Sequence, residues 1–514
     1  MIDKGLIGRI ATVTLFVTLS VLGIAFSMYL LYIANSAYMF ILALAFTALS
    51  LLAGFFNIYA SIWYYRSYFY DRYLERIRNG LKPLGKELPD IAVAMPVFNE
   101  DASMVEDNIK SLLTMNYPKS KMHFYIADDS TDPMLREAIE KLAKKYKAKY
   151  SHRNERKGFK AGALNNALLK ASEEFIAIFD SDEKLVDRNF LVDLLPFFQD
   201  KSISYVQTEK RYQKGNFFSD AVDIFDAFFF KFIQPARAIN NTAIFSGSCG
   251  LIRTSAFRDI GGLPEFIIED TFFSFESDMH GYKSLHVPKV YALGRPVKTF
   301  TELAKQQWRY NYGDTQFIGY FFKRKGFTKR TPLSNIDYTL HGLGLNYLSV
   351  VLLMFTIVSA GIVFSAAPFA HFDLMNFLTQ NQLSVDLEVL GFLAFTLSLM
   401  TPIFLARAYF GSWSKGAMVF LLNYALVFVR TKAALDTFVK KNVGIQWNRR
   451  KDADARKGLI YKSLHNTKTE IAFSSSMFGL AAVALWQTNL AGGIWLIWYG
   501  ILYSLTTAFL VKYG

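Results

Sequence analysis

The stretch EEFIAIFDSDEKL, residues 173–185, decides the fold. Phe175 to Phe179 are all apolar, the pattern of a strand buried on both faces. The run stops abruptly at Asp180, Ser181 and Asp182. The same shape occurs upstream in MHFYIADDSTD, where Phe124 to Ala127 run straight into Asp128 and Asp129. The intervening sequence alternates strand and helix. DIAVAMPVFNE reads as a strand ending in a turn, and DNIKSLLTMNY has helical spacing. PMLREAIEKLAKKY reads as a helix with Pro133 in its first turn. KYSHRNERKG reads as a strand edge and loop, and KAGALNNALLKAS as a helix. This rhythm predicts an α/β domain with a mainly parallel sheet and helices on both faces. Such sheets bind ligands at the carboxyl ends of their strands. Asn99, Glu100, Asp128, Asp129, Asp180 and Asp182 all fall at predicted strand ends, so the reading gathers acids on one rim.

Outward from this domain the composition changes. The chain of 514 residues is 52% hydrophobic, and Lys and Arg are absent from three windows: between Arg9 and Arg66, between Arg330 and Arg407, and between Lys468 and Lys512. Each window holds apolar runs long enough for a bilayer, which needs about 20 residues per helix. Six spans are expected, at 6–33, 37–60, 340–366, 386–406, 471–488 and 492–511. The N-terminal run is expected to stay as a span and not be removed as a signal peptide, because a second span follows at once. GAMVFLLNYALVF, 416–428, is nearly apolar enough for a seventh span. However, 430–468 carries eleven Lys and Arg, which belong on the cytoplasmic side. Residues 415–440 are therefore read as an amphipathic helix at the interface. The expected organisation is two spans in 1–65, a cytoplasmic domain in 66–330 and two spans in 331–414. An interfacial helix with a basic loop follows in 415–468, then two spans in 469–514. Both termini are expected in the cytoplasm.

Carboxylates on a rim suit a hard divalent cation. An Asp-x-Asp loop offers oxygen ligands to Mg²⁺ or Mn²⁺, which keep waters and take substrate phosphates as further ligands. A nucleoside diphosphate fits such a site, because the ion neutralises the leaving group. Lys157 and Lys160 flank Gly158 and add positive charge there. Lone Asp-x-Asp sequences are common turn chemistry, so the weight rests on several motifs sharing one rim. The single Cys249 excludes an intramolecular disulfide and a cysteine zinc cage.

The motifs PVFNE, DDSTD, KAGALN, FDSD, VQT, Gly247–Ser248, Glu269–Asp270 and QQWRY occur in that order. Together they resemble the membrane-embedded family 2 glycosyltransferases, among them cellulose synthases, hyaluronan synthases and cellulose-synthase-like glucomannan synthases. The resemblance implies an α/β GT-A (Rossmann-like) cytoplasmic domain inserted in a multi-span α-helical transmembrane region. It also implies site roles. Val97, Glu100, Asp128 and Asp129 would form the nucleotide pocket, with Lys160 nearby. Asp180 and Asp182 would meet the diphosphate and its Mg²⁺ or Mn²⁺. Gly247 and Ser248 would hold the acceptor end, and Asp270, with Glu269 beside it, would be the catalytic base. Gln306 and Arg309 match the first and fourth residues of Gln-x-x-Arg-Trp. The motif's final Trp is Tyr310 here, and Trp308 stands two residues earlier, so either ring could serve the acceptor. The family's gating loop has a basic counterpart in Trp447, Arg449, Arg450 and Lys451, without the usual Thr.

The activity this implies is inverting, processive transfer from a UDP- or GDP-sugar to a growing glycan that is exported across the cell membrane. Single transfer to a lipid or lipid-linked acceptor is the alternative. An ion transporter is disfavoured, because the predicted spans carry almost no ionisable residues. The formal charge of +14 also fits nucleic acid. That partner is not expected, because the basic residues sit in juxtamembrane loops while the rim is acidic. The partners expected are the nucleotide sugar, the acceptor and the lipid bilayer.

Overall fold

A computed structural model of the chain describes residues 4–34, 36–324, 332–366, 400–439, 467–487 and 490–513. The first two helices, α1 (Lys4–Tyr32) and α2 (Ala37–Asn79), form an apolar hairpin. The second does not stop with its apolar half. Its last turns carry Tyr70 and Leu74 into the core of the following domain, where the Tyr70 hydroxyl donates to the His286 carbonyl. One helix thus connects a membrane-length element to the sheet.

The domain follows as β1 (Ile91–Val97), α3 (Ala102–Leu112), β2 (Met122–Asp128), α4 (Pro133–Lys145), β3 (Lys149–His152), α5 (Phe159–Leu168), β4 (Phe175–Ile178), β5 (Lys184–Leu185), α6 (Phe190–Leu194) and β6 (Ile203–Tyr212). Then come α7 (Phe217–Phe228), α8 (Gln234–Ala238), β7 (Gly250–Arg253), α9 (Thr254–Ile260), α10 (Glu269–Met279), β8 (Lys283–Gly294) and α11 (Phe300–Lys323). Local chemistry matches these boundaries. Asp132 accepts from the Met134 and Leu135 amides and Pro133 opens α4, the arrangement expected from its sequence. β1 and β4 are almost wholly buried, so their runs of Val, Ile, Ala and Met are apolar on both faces.

The eight strands lie in the order β3-β2-β1-β4-β7-β6-β8-β5. The first four are parallel, as the sequence rhythm predicts. The other half departs from that prediction, because β7 runs antiparallel to both β4 and β6, and β5 antiparallel to β8. The sheet is mixed. The reversal has a functional consequence. A parallel neighbour would bring another strand end to the rim, whereas antiparallel β7 brings its beginning. Gly250 pairs with Ile178, and the Cys249 amide donates to the Ile178 carbonyl at 2.8 Å. The residues just before β7 therefore lie beside the residues just after β4.

Beyond α11 lie α12 (Pro332–Ala366), α13 (Thr401–Phe410), α14 (Trp413–Ala425), α15 (Val427–Val439), α16 (Lys468–Trp486) and α17 (Leu490–Tyr513). Among the described residues five helical stretches are long and apolar enough to cross a membrane: Gly5–Tyr32, Met39–Asn79, Trp413–Val439, Lys468–Trp486 and Gly492–Tyr513. Four of them coincide with expected spans. The expected span 340–366 falls on α12, and most of 386–406 lies outside the described residues. Trp413–Val439 differs from the interfacial reading in one respect. Its hydrophobic window is 56% buried, against 22% for the first two helices. Met418, Leu422 and Leu426 pack against Phe218, Phe300, Leu303 and Phe509, so protein covers much of the apolar surface that the interfacial reading assigned to lipid.

Candidate active site

The two aspartate-ending strands lie close together in the sheet, both hydrogen-bonded to β1. At the end of β2, Val97 pairs with Asp128 in the β1–β2 ladder. Asp128 is buried, and its carboxylate accepts from the Ser130 amide (2.8 Å) and the Tyr150 hydroxyl (2.8 Å). Asp129 accepts two bonds from Arg153, at 3.0 and 2.6 Å, a bidentate charge-assisted pair. Arg156 lies 3.9 Å from the same carboxylate and 3.4 Å above the Phe98 ring. Asn99 adopts φ 52°, and its side-chain oxygen accepts from the Thr131 and Asp132 amides. Glu100 follows directly on this turn.

At the end of β4 the acids meet cations and a loop. Lys160, from the first turn of α5, donates to Asp180 Oδ1 (2.6 Å) and to the Gly247 carbonyl (2.9 Å). Its ammonium is 3.9 Å from Glu269. Gly247 has φ 78°, a region open chiefly to glycine. A Cβ there would stand 3.4 Å from both Lys160 Nζ and Glu269 Oε1, and 3.6 Å from Asp270 Oδ2. Lys160, Asp180, Gly247, Glu269 and Asp270 are thus one cluster, drawn from residues up to 110 positions apart in sequence.

Two further links fix this cluster. The Ser274 hydroxyl donates to the Asp270 carbonyl and accepts from the Phe245 amide, which ties the Gly247 loop to α10. Gln207 accepts from the Ser246 amide and donates to the Ser248 carbonyl, which holds the loop from the β6 side. Glu269 and Asp270 sit in the first turn of α10, where the helix dipole favours negative charge.

The charge states follow from this packing. Burial pushes Asp180 up, but the Lys160 and Lys210 ammonium groups outweigh it and hold the carboxyl well below its usual range. Asp182 moves the other way, to about 6, because burial and the neighbouring charges of Asp180 and Glu183 outweigh Lys210. Burial raises Glu269 to about 7, with Asp270 adding repulsion. Asp270 is also raised by burial, against its own bond from the Thr271 amide and the charges of Lys160 and Arg309.

The sequence expectations divide accordingly. Lys160, Asp180, Gly247, Glu269 and Asp270 come together. Asp128 and Asp129 spend much of their bonding capacity within the fold. The Ser248 hydroxyl is engaged as well, donating to Glu183 (2.7 Å) and accepting from Lys210 (2.6 Å). On α11, Arg309 is half-buried and within electrostatic reach of Glu269 and Asp270. Gln306 donates to the Tyr310 hydroxyl (3.1 Å), and Arg309 lies over the Tyr310 ring at 5.4 Å. Trp308 takes another direction, since residues two apart on a helix do not share a face. It stacks on Tyr312 and donates to Asp436 of α15. Trp447, Arg449, Arg450 and Lys451 lie outside the described residues. Sequence reasoning missed Glu183, Lys210 and Asn108, whose amide donates to the Asp180 carbonyl. A third acid directly after Asp180 and Asp182 was the available signal for Glu183; Lys210, three residues after Gln207, carried none.

The donor chemistry fits a divalent ion of the Mg²⁺ or Mn²⁺ kind. Asp180 and Asp182 offer hard oxygen donors, and among the described residues no group of three or more acidic, His or Cys side chains is placed to hold a metal. Such an ion would complete its shell with water and substrate oxygens, as Mg²⁺ usually does.

Comparison with known proteins agrees with this geometry. Residues 92–261 match the family model described as Glycosyl transferase family 2. The cellulose synthase catalytic subunit (UDP-forming) of Pseudomonas fluorescens is 29% identical over 253 residues, covering 48% of this chain and 34% of that protein. Glucomannan 4-beta-mannosyltransferase 1 of Cyamopsis tetragonoloba is 27% identical over 278 residues, covering 51% and 52%. The chain thus spans about a third to a half of the length of the curated relatives it matches. Among solved structures, the mannosyltransferase PcManGT from Pyrobaculum calidifontis, in complex with GDP-Man and Mn²⁺, superposes with a TM-score of 0.53 at 18% identity. The match covers 78% of this chain and all of that one, which establishes a shared fold. The mixed sheet and the acidic rim thus agree with the match of residues 92–261 to the glycosyl transferase family 2 model and with a GT-A-like fold.

Proposed function

We propose that the protein is an inverting glycosyltransferase that moves a sugar from a nucleoside diphosphate to a glycan acceptor. The observation that carries this reading is the convergence of Lys160, Asp180, the Gly247 carbonyl, Glu269 and Asp270. It sets a cation-held acid for the donor beside a half-buried acid for the acceptor.

In this reading Asp270 accepts the proton of an acceptor hydroxyl. The oxygen forms its bond to the anomeric carbon as the bond from that carbon to the diphosphate oxygen breaks on the opposite face. The diphosphate leaves with the electron pair, and the proton stays on Asp270. A direct displacement of this kind passes through an oxocarbenium-like transition state. Arg309 stabilises the negative charge that develops on the departing diphosphate. Lys160 keeps Asp180 ionised and ties it to the Gly247 loop. Asp180 and Asp182 would hold Mg²⁺ or Mn²⁺, which supplies charge neutralisation to the leaving group when bound. Val97, Glu100, Asp128 and Asp129 border the nucleotide, with Asp129 oriented by Arg153. Gly247, Ser248, Gln306 and Tyr310 border the acceptor, and Trp308 shapes the α15 side.

The finer reading is processive synthesis of a β-glycan, exported through a six-span membrane region with the catalytic domain in the cytoplasm. Its supports are the apolar helices and the likeness to cellulose synthase and glucomannan mannosyltransferase. The test uses the full chain in detergent with Mn²⁺ or Mg²⁺ and a panel of UDP- and GDP-sugars. GDP-mannose belongs in the panel because the structural neighbour binds it. Release of nucleoside diphosphate names the donor. A high-molecular-weight labelled product supports processive synthesis, whereas label in one lipid-soluble species assigns single transfer. No release with any donor, from folded protein that also fails to bind UDP and GDP, overturns the proposal.

A further inference from the structure

Lys210 enters the donor corner from β6. Gln207 is the last residue of that strand paired with β7, opposite Gly250, so Lys210 stands three residues beyond, at the rim. Its ammonium donates to Ser248 Oγ at 2.6 Å and, at 3.4 Å, to the Ser246 carbonyl. It lies 3.4 Å from Glu183 Oε1 and 3.6 Å from Asp180 Oδ2. Only 23% of its side chain is exposed, and only 3% of that of Glu183.

The oxygens of this corner are shared out in a specific way. Asp180 Oδ1 faces Lys160, and Asp180 Oδ2 faces Lys210. Glu183 Oε1 faces Lys210 and the Ser248 hydroxyl, while Glu183 Oε2 accepts from the Asp180 amide. Two acids within four residues, Asp180 and Glu183, thus meet two lysines. Both Asp180 oxygens, the hard donors open to a divalent ion, are approached by an ammonium, Oδ1 by Lys160 at 2.6 Å and Oδ2 by Lys210 at 3.6 Å. Lysine is a compact charge on a flexible stem, so it can hold this place and also give it up. Like Lys160, Lys210 touches both the donor aspartate and the Gly247–Ser248 loop, and it reaches Glu183 as well.

We infer that Lys210 is a positioning cation of the donor site, which holds Asp180 and Glu183 in register with the Gly247–Ser248 loop and competes with the divalent ion for their oxygens. This rests on the donor-site reading of Asp180 given above. Two opposite charges about 4 Å apart interact strongly even at the effective dielectric of a protein surface, so their competition is measurable. In the free protein Lys210 keeps the acids ordered. When the ion binds, the ammonium keeps Ser248 and turns from the acids to the arriving diphosphate.

The test is Mn²⁺ binding followed by electron paramagnetic resonance on the full chain in detergent, alone and with UDP or GDP. Thermal unfolding confirms that each variant is folded. Lys210→Met should tighten Mn²⁺ binding without nucleotide by roughly tenfold and weaken retention of the diphosphate. Lys210→Arg, which keeps the charge, should stay near the parent. Lys210→Gln keeps a donor for Ser248 and gives the same comparison should Lys210→Met fail to fold. Unchanged or weaker Mn²⁺ binding in the uncharged variants, with a parent that binds both Mn²⁺ and diphosphate, overturns the role of Lys210 alone. A parent that binds neither Mn²⁺ nor any diphosphate overturns this inference together with the donor-site reading.

Discussion

Two strands of this protein end in paired acids, and they use them in opposite ways. Asp128 and Asp129 follow β2 and are tied into the fold by Ser130, Tyr150 and Arg153. Asp180 and Asp182 follow β4 and face lysines, a loop and other acids. The first pair is satisfied by backbone, hydroxyl and guanidinium donors, which shape a wall. The second is balanced by ammonium groups on flexible stems and carries an acid raised to about 6. Similar sequence at similar strand ends thus yields a scaffold in one place and a reactive rim in the other. The neighbour decides: β2 meets short parallel β3 at the sheet edge, whereas β4 meets antiparallel β7 and the loop before it.

The largest effect that bears on this contrast should come from the acid opposite the second pair. Asp270→Asn should lower turnover by about a thousandfold, within the usual range for removing a general base, with the unfolding midpoint kept. Diphosphate release against temperature-monitored unfolding checks both halves. Next in size is Asp180→Asn, which should cost about a hundredfold in kcat/KM and shift the Mn²⁺ requirement upward. A variant that keeps parental activity would break the assignment of the reactive role to the second pair.

The matching change in the first pair should be read in stability. Asp128→Asn disturbs two buried hydrogen bonds and should cost roughly 1–3 kcal/mol in denaturant unfolding, with activity reduced far less than in Asp180→Asn. Loss of activity at full stability would reverse the contrast. Tyr150→Phe, which removes only the donor to Asp128, should cost about 1 kcal/mol.

The smallest effect is in pH. Glu269 binds its proton more tightly folded than unfolded, since its carboxyl rises from 4.5 to about 7. Its contribution to stability is complete below the unfolded value and is lost as pH rises toward about 7. Glu269→Gln should therefore gain stability relative to the parent at pH 8 and not at pH 4. A gain of equal size at both would show that burial does not govern this acid.

The reading of this chain divides along one physical line. Apolar runs, Asp132–Pro133, strand-end acids and lysine-free windows are local patterns, so the sequence alone determined the parallel half of the sheet, several membrane-length helices and the acids at the strand ends. The resemblance carried by eight short motifs added Gly247 and Asp270. What only the tertiary structure decided are the pairings across long separations. The reversal at β7 delivers Gly247 and Ser248 to Asp180. It also lets β6 carry Lys210 to the same corner, although nothing near Lys210 in the sequence marks it. The packing of Trp413–Val439 against α7, α11 and α17 belongs to the same class, because burial depends on which neighbours arrive and charge along the chain does not report them. Strand direction and burial come from the whole fold, and they turn one Asp pair into wall and the other into chemistry.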